Sequence, residues 1–203
     1  MVGLICAMEE ELALVRASFA QSRVNAALSG LGKVNAALAT DSLIRSGADC
    51  ILNIGVAGAL DPSLKLGDTV ICSEIAYHDV WCGEPNLPGQ VQGLPPRFTP
   101  GRELFDAAVS VLPTAKTGLG ISGDRFVTAE AEVKALRAMF PEALCVDMEA
   151  AAIAHCCYLH GVPFLNVKIL SDSGNGDEYA AFWSTIAERS FETIKPLLEK
   201  LCV

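Results

Sequence analysis

Val146-Asp147-Met148-Glu149-Ala150-Ala151-Ala152 puts an acidic pair at the mouth of an alanine-rich helix, and its sequel up to Asp172 decides the fold. A turn at Gly161-Val162-Pro163 is followed by an apolar strand over 164–170, which ends at Ser171-Asp172 before the glycine-containing loop Ser173-Gly174-Asn175-Gly176. This helix–turn–strand unit carries one carboxylate at the helix start and another past the strand's C-terminal end. In open α/β sheets ligands sit outside the carboxyl ends of strands, so both carboxylates can face one pocket. Burying Glu149 beside Met148 and three alanines is costly unless a partner or ligand satisfies it. The plainer reading makes Asp147 a helix cap and Glu149 a first-turn acid favoured by the helix dipole.

Working outward, helix and strand patterns alternate along the chain, which predicts a largely parallel, helix-covered sheet. Residues 2–6 read as a buried strand, followed by a helix over 8–19. At about 100° per residue, Met8, Leu12, Val15 and Phe19 share one face and Glu11 falls within its arc, whereas Glu9 and Glu10 fall outside it. Of three consecutive glutamates, Glu11 is therefore the one turned toward core or cleft. A strand over 24–28 leads into Ser29-Gly30-Leu31-Gly32-Lys33. That turn lacks the G-x-x-x-x-G-K-[ST] spacing of a phosphate loop and reads as a strand-to-helix turn. The next helix runs to Arg45 and is closed by Gly47.

A strand over 50–54 runs into Gly55-Val56-Ala57-Gly58-Ala59-Leu60, where small residues admit either a closely approaching ligand or a tight crossover. Strands follow over 67–75 and 116–121, with a helix over 102–112 between them. Phe126 stands just past a strand end, where a ring packs in the core or stacks on a base; alone, the pattern favours the core. A helix over 129–140 precedes the opening stretch, and a helical region over 179–201, interrupted near Pro196, closes the chain. Residues 80–100 break the rhythm with five of the ten prolines and Trp81. A loop of this length in a compact domain is usually functional, interfacial or mobile; the plainer alternative is a surface loop packed on its own domain.

Composition narrows the function. The 203 residues predict one domain, 1–203. Hydrophobic residues make up 51% and charged residues 19%, which implies a large buried core. A net charge of −9 without clustered Lys and Arg argues against nucleic acid. No apolar run reaches membrane-spanning length, and the N-terminus lacks the basic start of a signal peptide, so a cytoplasmic location is expected. The eight cysteines form no C-x-x-C pair and the three histidines show no zinc spacing. Reduced thiols, no metal and no cofactor are expected.

Six motifs now fall in order: Ala7-Met8-Glu9-Glu10-Glu11, Ser29-Gly30-Leu31-Gly32-Lys33, Asn53-Ile54-Gly55-Val56-Ala57-Gly58, Ser122-Gly123-Asp124, Val146-Asp147-Met148-Glu149-Ala150 and Ser171-Asp172. Together they resemble the 5′-methylthioadenosine/S-adenosylhomocysteine nucleosidases of the nucleoside phosphorylase superfamily. The resemblance implies a single three-layer αβα domain around a central mixed, partly closed twisted sheet, a homodimer, and a small purine nucleoside as substrate. It further implies that Glu11 activates the attacking water and that Asp172 is the acid at purine N7. Asp147, Met148 and Glu149 belong to the ribose pocket, with Glu149 accepting from the 2′- and 3′-hydroxyls. Phe126 would stack on adenine, the Val127 backbone would read its edge, and Gly58 would lie on a loop admitting the nucleoside. The loop 80–100 resembles a segment that reaches the neighbouring subunit's pocket.

The chain departs from that pattern in four places. Val56 replaces a common serine, Lys168 a usual arginine and Gln92 a small apolar residue, and the stretch between Phe19 and Ser29 is short. Three other readings compete. A phosphorylase would need cations for its phosphate, a hydrolase could act on another nucleoside such as futalosine, and a non-catalytic nucleoside-binding protein would need no acid and base.

Overall fold

The fold turns on one strand with three neighbours. In the computed structural model, which describes residues 1–19 and 23–201, β3 (Cys50–Ala59) pairs in parallel with β1 (Val2–Cys6) over its first half. On its other side it runs parallel to β7 (Phe164–Asp172) for almost its whole length, and at Gly58 and Ala59 it meets β6 (Ala143–Asp147) antiparallel. The side chains of 182–184 and 186–187 lie outside the described set. From β6 the sheet continues through β5 (Lys116–Ser122) and β4 (Thr69–Tyr77) back to β7. The strands β3, β6, β5, β4 and β7 thus close a ring, while β1 and then β2 (Val24–Leu28) extend the sheet from one side of β3.

Helices cover both faces, because alternate strand residues point to opposite sides. On one face Leu4 of β1, Leu52 and Ile54 of β3 and Leu165 of β7 pack under α1 (Glu9–Phe19), α3 (Arg102–Val111) and α6 (Gly176–Leu201). On the other, Ile5, Ile51, Ala57 and Leu170 meet α2 (Lys33–Arg45) and α5 (Ala150–His160). A third cluster lies under α4 (Glu130–Met139), where Val133 meets Leu119, Ile121 and Val146. This is a three-layer αβα domain with a mixed, partly closed sheet.

The sheet is largely parallel as expected, and two of its pairings, β3 with β6 and β4 with β7, are antiparallel and make it mixed. Several other expectations need correction. The stretch 143–147, not assigned before, is a strand that ends on Asp147. Residues 55–59 are not a loop but the second half of β3, with a register shift between Ala57 and Gly58. The last helix runs unbroken through Pro196. Residues 20–22, part of the short stretch after Phe19, lie outside the described residues. Among the described residues no helix is long and apolar enough to cross a membrane, and the seven described cysteines are free thiols.

Candidate active site

The ends of β3, β6 and β7 converge, with Gly58 opposite both Val146 and Asp172. Above this convergence lies a cavity of about 310 Å³. All eight residues singled out in the sequence line it: Glu11, Gly58, Phe126, Val127, Asp147, Met148, Glu149 and Asp172.

Glu11 comes from the first turn of α1. It is 2% exposed, and among the described residues neither carboxylate oxygen has a hydrogen-bond partner. Burial pushes its pKa up to about 7, with Lys168 opposing and Glu149 and Glu10 adding to the rise. Gly55 makes the space, since a Cβ there would lie 3.3 Å from Glu11 Oε1. The small residues of β3 therefore let a buried carboxylate approach the strand backbone. At the other end of the same stretch, a Cβ on Gly58 would lie 3.1 Å from Asp172 Oδ1.

Asp147 and Glu149 divide the two readings of the opening stretch. Asp147 does cap a helix, accepting the Ala150 N–H at 3.2 and 3.3 Å, and it also takes Lys168 Nζ at 2.6 Å in a buried ion pair. Its carboxylate is therefore engaged with the protein. Glu149 is no solvent-facing acid: it is 5% exposed, and its Oε1 accepts the Gly32 N–H at 2.8 Å. That amide belongs to the Ser29–Lys33 turn, and Gly32 takes φ 91°, a conformation glycine adopts without strain. The turn that lacks phosphate-loop spacing holds a carboxylate of its own chain. Burial raises the Glu149 pKa to about 7, helped by Asp147 and opposed by Lys168.

Asp172 ends β7. Its Oδ2 accepts the Ser171 hydroxyl at 2.8 Å and its Oδ1 the Gly174 N–H at 2.9 Å. Burial raises its pKa, and those two hydrogen bonds hold the rise in check. Lys168 is buried too; burial works against its charge, but Asp147 and Glu149 prevail and hold it protonated. Four acids and one ammonium thus share a low-dielectric site.

Phe126 is not core: it is half exposed at the cavity mouth, edge-on to Tyr179 with ring centroids 5.2 Å apart. Tyr179, whose hydroxyl lies 3.8 Å from Met8 Sδ, was missed in the sequence. It stands in the first turn of α6, and only the packing of α6 beside α1 brings it to the cavity. Val56 and Lys168, two of the departures, also line it. Two cationic side chains line the cavity among the described residues. Lys168 is held by Asp147, and Arg125, largely exposed, pairs with Glu132. Such an arrangement suits general acid–base work on a neutral, partly apolar ligand better than capture of a dianion.

The profile of the phosphorylase superfamily matches residues 1–199. A 5′-methylthioadenosine/S-adenosylhomocysteine nucleosidase of Staphylococcus aureus (strain MRSA252) is 36% identical over 99% of this chain and all of that protein. The crystal structure of the nucleosidase of the same name from Neisseria meningitidis, in complex with methylthio-immucillin-A, superposes with a TM-score of 0.93 at 36% identity, covering 98% of each chain. A futalosine hydrolase of Helicobacter pylori gives 0.91 at 25% identity, over 98% of this chain and 97% of its own. With its cavity, its acids and its fold in place, the chain belongs to the phosphorylase superfamily and, within it, to the 5′-methylthioadenosine/S-adenosylhomocysteine nucleosidases.

Proposed function

We propose that this protein hydrolyses the N-glycosidic bond of 5′-methylthioadenosine and S-adenosylhomocysteine, releasing adenine and the thioribose, as a step of methionine salvage in the cytoplasm. The observation that carries the reading is the placement of Glu11, Glu149 and Asp172 around one cavity whose two described cations are both paired. Adenine stacks on Phe126 with its edge at the Val127 backbone, and the ribose lies against Met148 and Glu149. Glu149 accepts from the 2′- and 3′-hydroxyls, and Asp147 keeps Lys168 and the start of α5 in place.

As the C1′–N9 bond breaks, its electron pair goes to the purine and positive charge builds on the sugar. Asp172 gives its proton to N7, which neutralises the leaving base, and Glu11 takes a proton from the water that attacks C1′. Proton transfer of this kind supplies about 10²–10⁴-fold, and the remainder comes from positioning and from the carboxylates facing the cationic sugar. Burial suits the two acids to opposite tasks. A raised pKa keeps Asp172 protonated more of the time, and a pKa of about 7 makes Glu11 a stronger base than an exposed glutamate.

A homodimer fits the surface. Leu31, Val34 and Leu38 lie exposed at and along the start of α2, Tyr158 and Leu159 are exposed at the end of α5, and Trp81 is exposed in the proline-rich loop. No residue of 80–100 is among those lining this chain's own cavity; Phe98 anchors the loop to the core, and its exposed Trp81 and Leu87 are the part that would reach a neighbour's. Sedimentation should give twice the chain mass.

The decisive experiment is base release from methylthioadenosine in phosphate-free buffer and again with phosphate. Adenine and free methylthioribose in both buffers support the hydrolase. A sugar 1-phosphate formed only with phosphate makes it a phosphorylase. Release from futalosine in place of methylthioadenosine moves it to the second reading, which the Helicobacter pylori likeness keeps in view.

A further inference from the structure

A second group of charges lies just outside the cavity, and the reaction as described makes no use of it. Lys33 Nζ donates to Asp79 Oδ2 at 2.7 Å and lies 3.8 Å from Asp124 Oδ2. Asp124 accepts the backbone N–H of Lys33 at 2.7 Å, and its own N–H donates to Asp79 Oδ2 at 2.8 Å. The Lys33 ammonium also stands 5.6 Å from the centre of the Tyr77 ring. Three segments distant in sequence are tied here: the turn before α2, the start of the loop after β4, and the segment after β5.

These side chains are a quarter to a half exposed, so their ion pairs add little to stability. Their effect is geometric. Gly32 and Lys33 present two consecutive N–H groups, one held by Glu149 and the next by Asp124. Fixing Lys33 from both its amide and its ammonium fixes the peptide that aims the Gly32 N–H. The fit is close, because a Cβ on Gly32 would lie 2.9 Å from Asp124 Oδ1 and one on Gly123 2.7 Å from Asp79 Cγ. Asp124 also directly precedes Arg125, Phe126 and Val127, which line the cavity.

We propose that Lys33, Asp79 and Asp124 are positioning residues for the nucleosidase reaction: they clamp the Gly32–Lys33 turn so that its amide holds Glu149 toward the ribose, and they anchor the segment that meets the base. This inference rests on the function proposed above. Glu149 is otherwise faced by Asp147 on the same stretch, Lys168 of β7, Glu11 of α1 and Tyr179 of α6. The Met148 backbone N–H also acts on the Glu149 carboxyl, and of these two backbone donors the Gly32 amide is the one the clamp holds.

The test uses the whole protein with Asp124→Ala, Lys33→Met and the conservative Lys33→Arg. Carbon-13 titration of the Glu149 carboxyl, its signal assigned by Glu149→Gln, needs no substrate. The midpoint should move to higher pH in Asp124→Ala and Lys33→Met, because an N–H that stabilises the ionised form is loosened, and stay close to wild type in Lys33→Arg. Adenine release gives the second readout. kcat/KM for methylthioadenosine should fall about 10-fold in the two disruptive variants, but only ~3-fold for the 2′-deoxy analogue, which lacks one hydroxyl that Glu149 holds. An unmoved Glu149 midpoint, or equal losses on both nucleosides, overturns the clamp. If wild type releases no adenine, the functional reading falls while the titration still judges the clamp, and should Asp124→Ala not fold, Lys33→Met carries both readouts.

Discussion

Glu11 on the cavity floor and the carboxylates of the cavity rim are held in opposite ways. At the rim, Asp79 and Asp124 are partly exposed, yet each is tied to backbone N–H groups or an ammonium. On the floor, Glu11 is almost wholly buried and both its oxygens lack a partner among the described residues. Ordinary economy would place the partners where water is absent, since an unpaired buried acid costs more than an exposed one. The inversion separates Glu11 from the tied carboxylates, a set that takes in Asp147 and Asp172 of the same cavity. Glu149 stands between them, one oxygen on the Gly32 amide and the carboxylate facing the cavity.

The sharpest way to break this comparison is Asp172→Asn. It keeps the shape and can still meet Ser171 and Gly174, but has no proton to give. Adenine release from methylthioadenosine should fall about 10²–10⁴-fold with an unchanged melting curve, and normal turnover by the folded variant would remove Asp172 from the role of acid. Next in size is Lys168→Met, which leaves Asp147 buried without its cation. Breaking one side of a buried pair typically costs about 3–5 kcal/mol, read in urea denaturation. A loss near zero would mean that Asp147 is held by the Ala150 N–H alone.

How much of this was legible follows the range of the interactions involved. Glu11 could be picked from three glutamates because a helix face is set by its own residues, and Glu9 and Glu10 are indeed exposed. The carboxylate at the end of β7 was visible from the strand itself. The 143–147 strand was not, since five residues running into a helix carry too little period to mark it. The 55–59 stretch looked like a loop because glycine and alanine are poor strand formers. What keeps it extended is β7 and β6 alongside, and what selects the glycines is the nearness of the Glu11 and Asp172 carboxylates. Tyr179 and the Lys33–Asp79–Asp124 ties exist only in three dimensions, and no local pattern announces them.

Smaller effects sharpen the contrast between floor and rim. A carboxyl whose folded pKa stands above its unfolded value binds its proton more readily when folded. Its ionisation therefore lowers stability as pH rises from the ordinary carboxylate range to about 7. Glu11→Gln should consequently stabilise the protein by ~2 kcal/mol at pH 8 and by nearly nothing at pH 4, while activity collapses. Equal melting temperatures for variant and wild type across that range would contradict the buried, unpartnered state. The kcat/KM profile of the wild type should be bell-shaped, since it needs Glu11 and Glu149 ionised and Asp172 protonated, and a profile flat from pH 5 to 8 would oppose these assignments. The least change is expected of Gly32→Ala, where a positive φ and a crowded Asp124 should cost about 1–2 kcal/mol, again by denaturation.

Ring closure through β3, β6, β5, β4 and β7 also governs how this protein meets other chains and how it tolerates change in length. A closed run of strands offers no unpaired backbone for another strand to join, so among the described strands the exposed edge falls to β2. That edge is five residues long and interrupted by the polar Asn25, a poor template for cross-β association. It is also a margin where residues can be lost or gained without opening the ring, so variation in length among relatives beside β2 should leave the acids of the cavity undisturbed.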